Sequence, residues 1–279
     1  MRGSIAIFLC LVAVGCTSNE EEFDTGFLDD TGDTDDTGEL EECEVNVVVF
    51  DYGDQAAWVN GNPDCGGSSQ SPIDLQPETN FFEGETPVLA FAYTTSALHV
   101  INNGHSIEYE IDDASNTLTV DGTDYALLQF HFHSPSEHTV DGQNAAMEMH
   151  LVHKSQSDAL AVVSILIFPG EAEQPWIASA SWDEIPAQAG ECLEDEETVL
   201  DMDDLINGQL EGGTKDVVHY NGSLTTPPCS EDVEWFILGE YMLLSSEQIA
   251  TFSDIYSGNN REVQALNDRT IFYDESYGN

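Results

Sequence analysis

The sequence predicts a mainly β (α+β) single domain with short peripheral helices. Three observations carry that expectation. From residue 45 onward, short strand-like runs recur between Gly, Asn and Asp, the residues that break strands and make turns. The runs QFHFH at 129–133 and EMHLVH at 148–153 alternate with a period of two, as a strand with two different faces does. Helical signals are few and short. With 279 residues, 41% of them hydrophobic, the chain can bury one sizeable core, and β-rich chains of over 200 residues are often one domain.

Taken in order, residues 1–16 read as a targeting segment. Arg2 is a minimal basic start, and residues 5–14 are apolar but too short to span a bilayer. Ala13, Val14 and Gly15 then precede Cys16, as in a bacterial lipoprotein signal whose cysteine becomes the lipidated N-terminus. The expectation is export and a lipid anchor at Cys16 on the cell envelope, in the periplasm or at the cell surface. Residues 17–44 carry 13 acidic residues and no Lys or Arg. Such a stretch cannot bury enough apolar surface to offset its ordering entropy, so a disordered, self-repelling linker is expected. Residues 45–279 are then the folded domain. Strands are expected at 97–101, 106–111, 117–120, 127–133, 145–153 and 159–168. The last, ALAVVSILIF, is nearly all apolar and should be central, with both faces covered. Asp141 and Gly142 sit between two alternating runs, a strong hairpin signal. Short helices are expected at 176–182, 202–207 and 245–253, the last opened by Ser245.

Charge excludes some partners. Lys+Arg total 5 against 54 Asp+Glu, a net charge of -49. Nothing here could neutralise the phosphates of a nucleic acid, and an anionic membrane surface would repel the chain. The acidity is a solubilising coat, or an adaptation to salt that screens self-repulsion. Of six cysteines, Cys10 lies in the signal and Cys16 at the lipid site. Cys43, Cys65, Cys192 and Cys229 remain, an even number suited to disulfides in an exported protein. They allow three pairings, and spacing does not choose among them.

The chemistry begins in the alternating runs. Side chains two apart on a strand share a face, so His131 and His133 project together. A second strand folding back brings His150 to the same spot. Three imidazoles converging this way make an open zinc site, with the fourth position left for water. Gln129 lies on the face of His131, and Glu148 on the face of His150. Both are placed to accept hydrogen bonds that orient those rings. Val152 continues the same face as an apolar neighbour.

Six segments together resemble the α-class carbonic anhydrases: QSPIDL at 70–75, NNGH at 102–105, QFHFH at 129–133, SEHTVDG at 136–142, EMHLVH at 148–153 and GSLTTPP at 222–228. They occur in the family's order, and the resemblance spans about residues 52–269. It implies a large, mostly antiparallel central sheet with Zn2+ in a conical cleft. The implied ligands are His131, His133 and His150. The implied reaction is reversible hydration of carbon dioxide to bicarbonate and a proton, by attack of zinc-bound hydroxide. Thr225 would accept a hydrogen bond from that hydroxide and pass its own proton to Glu137, with Thr226 beside the substrate. Val152, Val162, Leu224 and Trp235 would form the apolar wall. His105 matches the family's proton shuttle, suited to the task by an imidazole pKa near ~6.5. Tyr52 and Asn102 match residues that order the connecting waters. His138 and His153 match structural histidines that point off the ligand face, and His99 and His219 have no assigned role. The resemblance also selects a Cys65–Cys229 disulfide, leaving Cys43 and Cys192 as a second pair. A second copy of the chain, as a homodimer, is a candidate partner. The chain departs from the family where Phe50 and Asp51 replace a usual His-Trp, and where Ala265 replaces a usual proline.

Overall fold

A computed structural model describes residues 45–48, 50–77, 79, 81–83, 86–211 and 216–274. The expected signal, Cys16, the acidic linker and Cys43 lie outside the described residues. The strands in chain order are β1 (Asp74–Leu75), β2 (Phe81–Glu83), β3 (Leu89–Ala92), β4 (Thr95–Asn102), β5 (Ile107–Glu110), β6 (Thr117–Val120), β7 (Thr123–His133) and β8 (Thr139–Val140). They continue with β9 (Gln143–Asn144), β10 (Met147–Ser155), β11 (Leu160–Pro169), β12 (Cys192–Asp201), β13 (Val217–Ser223), β14 (Glu231–Leu238), β15 (Met242–Leu244) and β16 (Ile271–Asp274). A 13-stranded sheet runs β12-β4-β5-β7-β10-β11-β14-β13-β16-β2, with β3, β6 and β15 attached beside this path. Most pairs are antiparallel. The joints β11–β14, β11–β15 and β16–β2 are parallel.

The alternation read at 129–133 is borne out. Phe130 and Phe132 are fully buried in the larger hydrophobic core, while the residues between them face the other way. The apolar run at 159–168 falls on β11, buried from Ala161 to Ile167 and paired on both edges. Asp141 and Gly142 adopt φ 49° and 73°, the left-handed pair that a two-residue turn of primed type requires. The turn closes its own small hairpin, β8–β9, which pairs with β1 in a separate three-stranded sheet. It does not join β7 to β10 directly.

Helices are short and peripheral: α1 (Trp58–Gly61), α2 (Pro175–Ser179), α3 (Met202–Gly208) and α4 (Ser246–Ser253). Ser245 caps α4 in a reciprocal capping box with Gln248. The helix expected at 176–182 is divided. Ser181 takes φ 51°, a left-handed conformation that ends the helical path, and a 3-10 turn follows at Trp182–Glu184. Among the described residues, no helix is long and apolar enough to cross a membrane. The strands β12, β13 and β14 were not among those expected. β12 reads CLEDEETVLD and lies at the edge of the sheet, where acidic side chains are tolerated and discourage strand pairing between molecules.

Candidate active site

Register builds the site. Strands β7 and β10 pair antiparallel with His131 opposite His150, His133 opposite Glu148 and Gln129 opposite Val152. Directly paired residues point to the same face, so three imidazoles and two potential acceptors meet on one patch. The next rows extend it. Val152 is opposite Val162 on β11, and Val162 is opposite Trp235 on β14. A polar histidine row therefore runs beside an apolar row. Above them opens a cleft of about 220 Å³, lined among others by His105, His131, His150, Val152, Thr225 and Trp235. Val162, Leu224 and Thr226 complete the expected wall.

Each imidazole is tied by one nitrogen. His131 Nδ1 donates to Gln129 Oε1 at 2.8 Å, and His133 Nδ1 to the Asn259 carbonyl at 2.7 Å. His150 Nε2 donates to Glu148 Oε1 at 2.8 Å. A carbonyl or carboxylate oxygen only accepts, so the hydrogen on each ring is assigned. The lone pairs are left on His131 Nε2, His133 Nε2 and His150 Nδ1. One ring nitrogen from each histidine lies within 4.8 Å of the others. His133 Nε2 is buried and has no hydrogen-bond partner. Burial, reinforced by the neighbouring imidazoles, holds His131 well below the ordinary histidine range. Burial likewise pushes His133 down to about 4. Neutral rings with inward lone pairs and an orphaned nitrogen are the donor set a zinc ion requires.

Glu148 anchors more than one ring. Its Oε1 also accepts from His138 Nδ1 at 2.6 Å and from Ser164 Oγ at 2.6 Å. Its Oε2 accepts from the backbone N–H of Glu137 at 2.8 Å and of His138 at 2.7 Å. Burial works to raise the carboxyl. His138 and His150, by charge and by hydrogen bond, outweigh it and hold Glu148 well below the carboxylate range. His138 plays a structural part: it braces the carboxylate that orients His150, and its Nε2 meets the Tyr220 hydroxyl at 2.7 Å. His153 does fall on the core side. Its Nδ1 donates to the Ala161 carbonyl at 3.3 Å, and the Tyr93 hydroxyl donates to Nε2.

Glu137 is fully buried, and its Oε1 accepts the Arg261 N–H at 2.7 Å. Burial raises its pKa, opposed by His150, the Arg261 N–H and the Thr225 side chain. The Arg261 guanidinium reaches Gln70 Oε1 and Ser71 O, both at 2.8 Å, and Cys65 O at 3.1 Å. Cys65 and Cys229 form a disulfide. Cys229 N donates to the Thr226 carbonyl at 2.8 Å, so the bridge pins the loop that carries Thr225. Cys192 is also disulfide-bonded, while its expected partner Cys43 lies outside the described residues.

His105 lines the cleft, its Nδ1 3.3 Å from the Val48 carbonyl. Burial pushes it down to about 4, against the bond to Val48. Tyr52 OH is buried with no hydrogen-bond partner. Asn102, expected among the residues that order cleft waters, does not line the cleft. It is fully buried, its amide donates to Pro186 O, and its Oδ1 accepts from Gly104 N and the Tyr256 hydroxyl. One step along the chain turns a side chain to the other face, and it is Asn103 that lines the cleft. Asn103 Nδ2 donates to Glu108 Oε2 at 3.1 Å.

Sequence reasoning missed Asn259, Arg261 and Glu108. Asn259 serves His133 through its backbone carbonyl, which any residue type supplies, so it left no signal. Arg261 did leave one: it is among only 5 cations and lies 3% exposed. Glu108 left one too, by alternating onto the cleft face opposite His131. His99 bridges Glu110 and Glu194, and His219 meets Glu234, neither at the cleft.

A mainly β floor, three converging neutral imidazoles and an apolar wall define a β-sheet enzyme with a metal-ready histidine triad. The comparisons make this specific. Residues 53–275 match the family model for eukaryotic-type carbonic anhydrase. A carbonic anhydrase of Klebsiella pneumoniae is 41% identical over 207 residues, covering 74% of this chain and 80% of that protein. One of Pectobacterium atrosepticum is 36% identical over 226 residues, covering 79% and 88%. The solved α-carbonic anhydrase of Thermovibrio ammonificans, in complex with the inhibitor sulfanilamide, superposes with a TM-score of 0.71. It is 32% identical, and the match covers 78% of this chain and 94% of that one. The chain belongs to the eukaryotic-type, or α-class, carbonic anhydrase family and is an enzyme of that class.

Proposed function

We propose that the chain catalyses the reversible hydration of carbon dioxide to bicarbonate, with zinc held by His131, His133 and His150. The observation that carries this reading is the triad of inward lone pairs, with His133 Nε2 buried and unpartnered. Bound there, zinc supplies the Lewis acidity that brings a water's pKa near ~7, a value that belongs to carbonic anhydrases as a class.

The protein's own groups do the rest. Gln129, the Asn259 carbonyl and Glu148 fix which nitrogen of each ring faces the cleft. Glu137 is held by the Arg261 N–H on Oε1, and its Oε2 is buried without a partner; the Thr225 hydroxyl would give its proton to that oxygen and turn its lone pairs toward the cleft. A nucleophile that must donate a hydrogen bond to Thr225 is thereby favoured over anions that cannot. Val152, Val162, Leu224 and Trp235 give carbon dioxide, an apolar molecule, a dry surface beside the nucleophile. His105 lines the cleft with Nδ1 engaged by the Val48 carbonyl, so Nε2 is the atom left to take the released proton. The depressed pKa of His105 keeps it unprotonated at neutral pH and makes it a weak acceptor.

Export, the lipid anchor at Cys16 and the acidic tether at 17–44 belong to the same proposal. The Cys65–Cys229 bridge supports an oxidising compartment. The cleft is complete within one chain, so the proposal needs no second copy. Replacement His150→Ala tests the core of the reading. Zinc content and carbon dioxide hydration should fall together while the fold, followed by circular dichroism, persists. Retention of full hydration with zinc lost would overturn it.

A further inference from the structure

The turn that presents His105 is covered from outside by the chain that leads into the fold. Val48 N donates to the Asn103 carbonyl at 3.0 Å, and the Val48 carbonyl meets His105 Nδ1 at 3.3 Å. The Phe50 ring lies 4.8 Å from the imidazole, tilted by 42°. Phe50 is itself wedged edge-on between Tyr52 and Trp58, each at 5.2 Å. Gly104 between Asn103 and His105 has φ +92°, and a Cβ there would stand 2.7 Å from Val47 Cγ1. The covering segment therefore closes onto the turn about as tightly as glycine allows. A carbonyl oxygen can only accept, so Nδ1 of His105 carries the hydrogen and Nε2 carries the lone pair. An unrestrained histidine on a turn would sample both tautomers and several rotamers, the latter on picosecond to nanosecond times.

We propose that residues 45–48 and Phe50 form a positioning element for proton transfer: the Val48 carbonyl locks His105 in the Nδ1–H tautomer, and Phe50 fixes the ring so that Nε2 is the atom that accepts the proton. The inference rests on the reading of His105 as the relay. In each cycle Nε2 takes one proton from cleft water, and the ring becomes an imidazolium with N–H on both nitrogens. Nδ1–H stays on Val48 O throughout. The Nε2 proton then passes to a buffer base, which restores the starting tautomer with nothing else consumed. Val48 and Phe50 touch no substrate and act only through His105.

Two variants separate positioning from structure. Phe50→Ala removes the ring, and Val48→Pro removes the N–H that ties the segment to Asn103. Nitrogen-15 NMR of the imidazoles should show His105 as a single Nδ1–H tautomer in the native protein and as a mixture in both variants. In weak buffer kcat should fall at least about threefold, kcat/KM for carbon dioxide should stay unchanged, and imidazole should restore kcat. Phe50→Tyr keeps the ring and should behave as the native protein. A native spectrum showing Nε2–H or an averaged ring would overturn the proposal, and so would variants that keep full kcat in weak buffer. An equal fall in kcat/KM would mean damage to the cleft and would also count against it. His105→Ala is the separate control. If it leaves weak-buffer turnover unchanged, the relay reading fails, while the tautomer is still decided by NMR.

Discussion

At the scale of single residues, Glu148 concentrates the most interactions. One carboxylate accepts from His150, His138, Ser164 and two backbone N–H groups. An amide in its place would turn N–H groups toward donors and leave several buried hydrogens unpaired. Glu148→Gln should therefore weaken zinc binding about 10–100-fold, read by competition with a chelator. Unchanged zinc affinity would mean that the carboxylate does not orient His150. That Gln129 and Glu148 share the face of the histidines is legible from alternation, because a period of two settles which side chains share a face; their roles as acceptors were implied by the family resemblance. Asn102 and Asn103 are not told apart by the motif alone, because at the end of β4 a single step exchanges the faces. The bracing of Glu148 by His138 has no trace in local sequence, because its contacts reach β10 and β13.

At the scale of elements, legibility followed the range of the interaction. The strands β4, β7, β10 and β11 were visible because their patterns are local. The parallel joint β11–β14, which carries Trp235 to the cleft wall, depends on pairing 73 residues apart, as Val162 opposite Trp235 shows, and no local pattern encodes it. The edge strand β12 was hidden by its acids, residues of low strand propensity. Strand β10 also holds a pH-sensitive joint. His153 is fully buried between Tyr93 and β11, and burial pushes it from 6.5 down to about 4, opposed by the Ala161 carbonyl. The unfolded chain then binds this proton more readily than the folded one. The stability tied to neutral His153 is present above about pH 6.5 and lost as the pH falls through about 4. Its ceiling is roughly 3 kcal/mol. Melting temperature should fall between pH 6.5 and 4, and His153→Asn should show a shallower fall. Parallel curves for the two proteins would remove His153 as a cause.

At the scale of the whole molecule, charge is the dominant fact. With a net charge of -49 the folded chain repels itself, and counterions screen that repulsion within about 10 Å at 0.1 M salt. Melting temperature should climb steeply as NaCl is raised from low to molar concentration. A flat response would mean that the acids are too dispersed to strain the fold. The surface charge does not reach two of the groups that orient the triad, because Glu148 and Asn259 are buried. Stopped-flow hydration of carbon dioxide by the full chain, with zinc measured on the same sample, is the decisive measurement for the histidine triad. If the triad holds zinc and the cleft hydrates carbon dioxide, turnover is fast with zinc and chain in equal amounts, and both are lost on chelation and restored by added zinc. Tightly bound zinc without hydration, or hydration that survives complete removal of zinc, would exclude that mechanism.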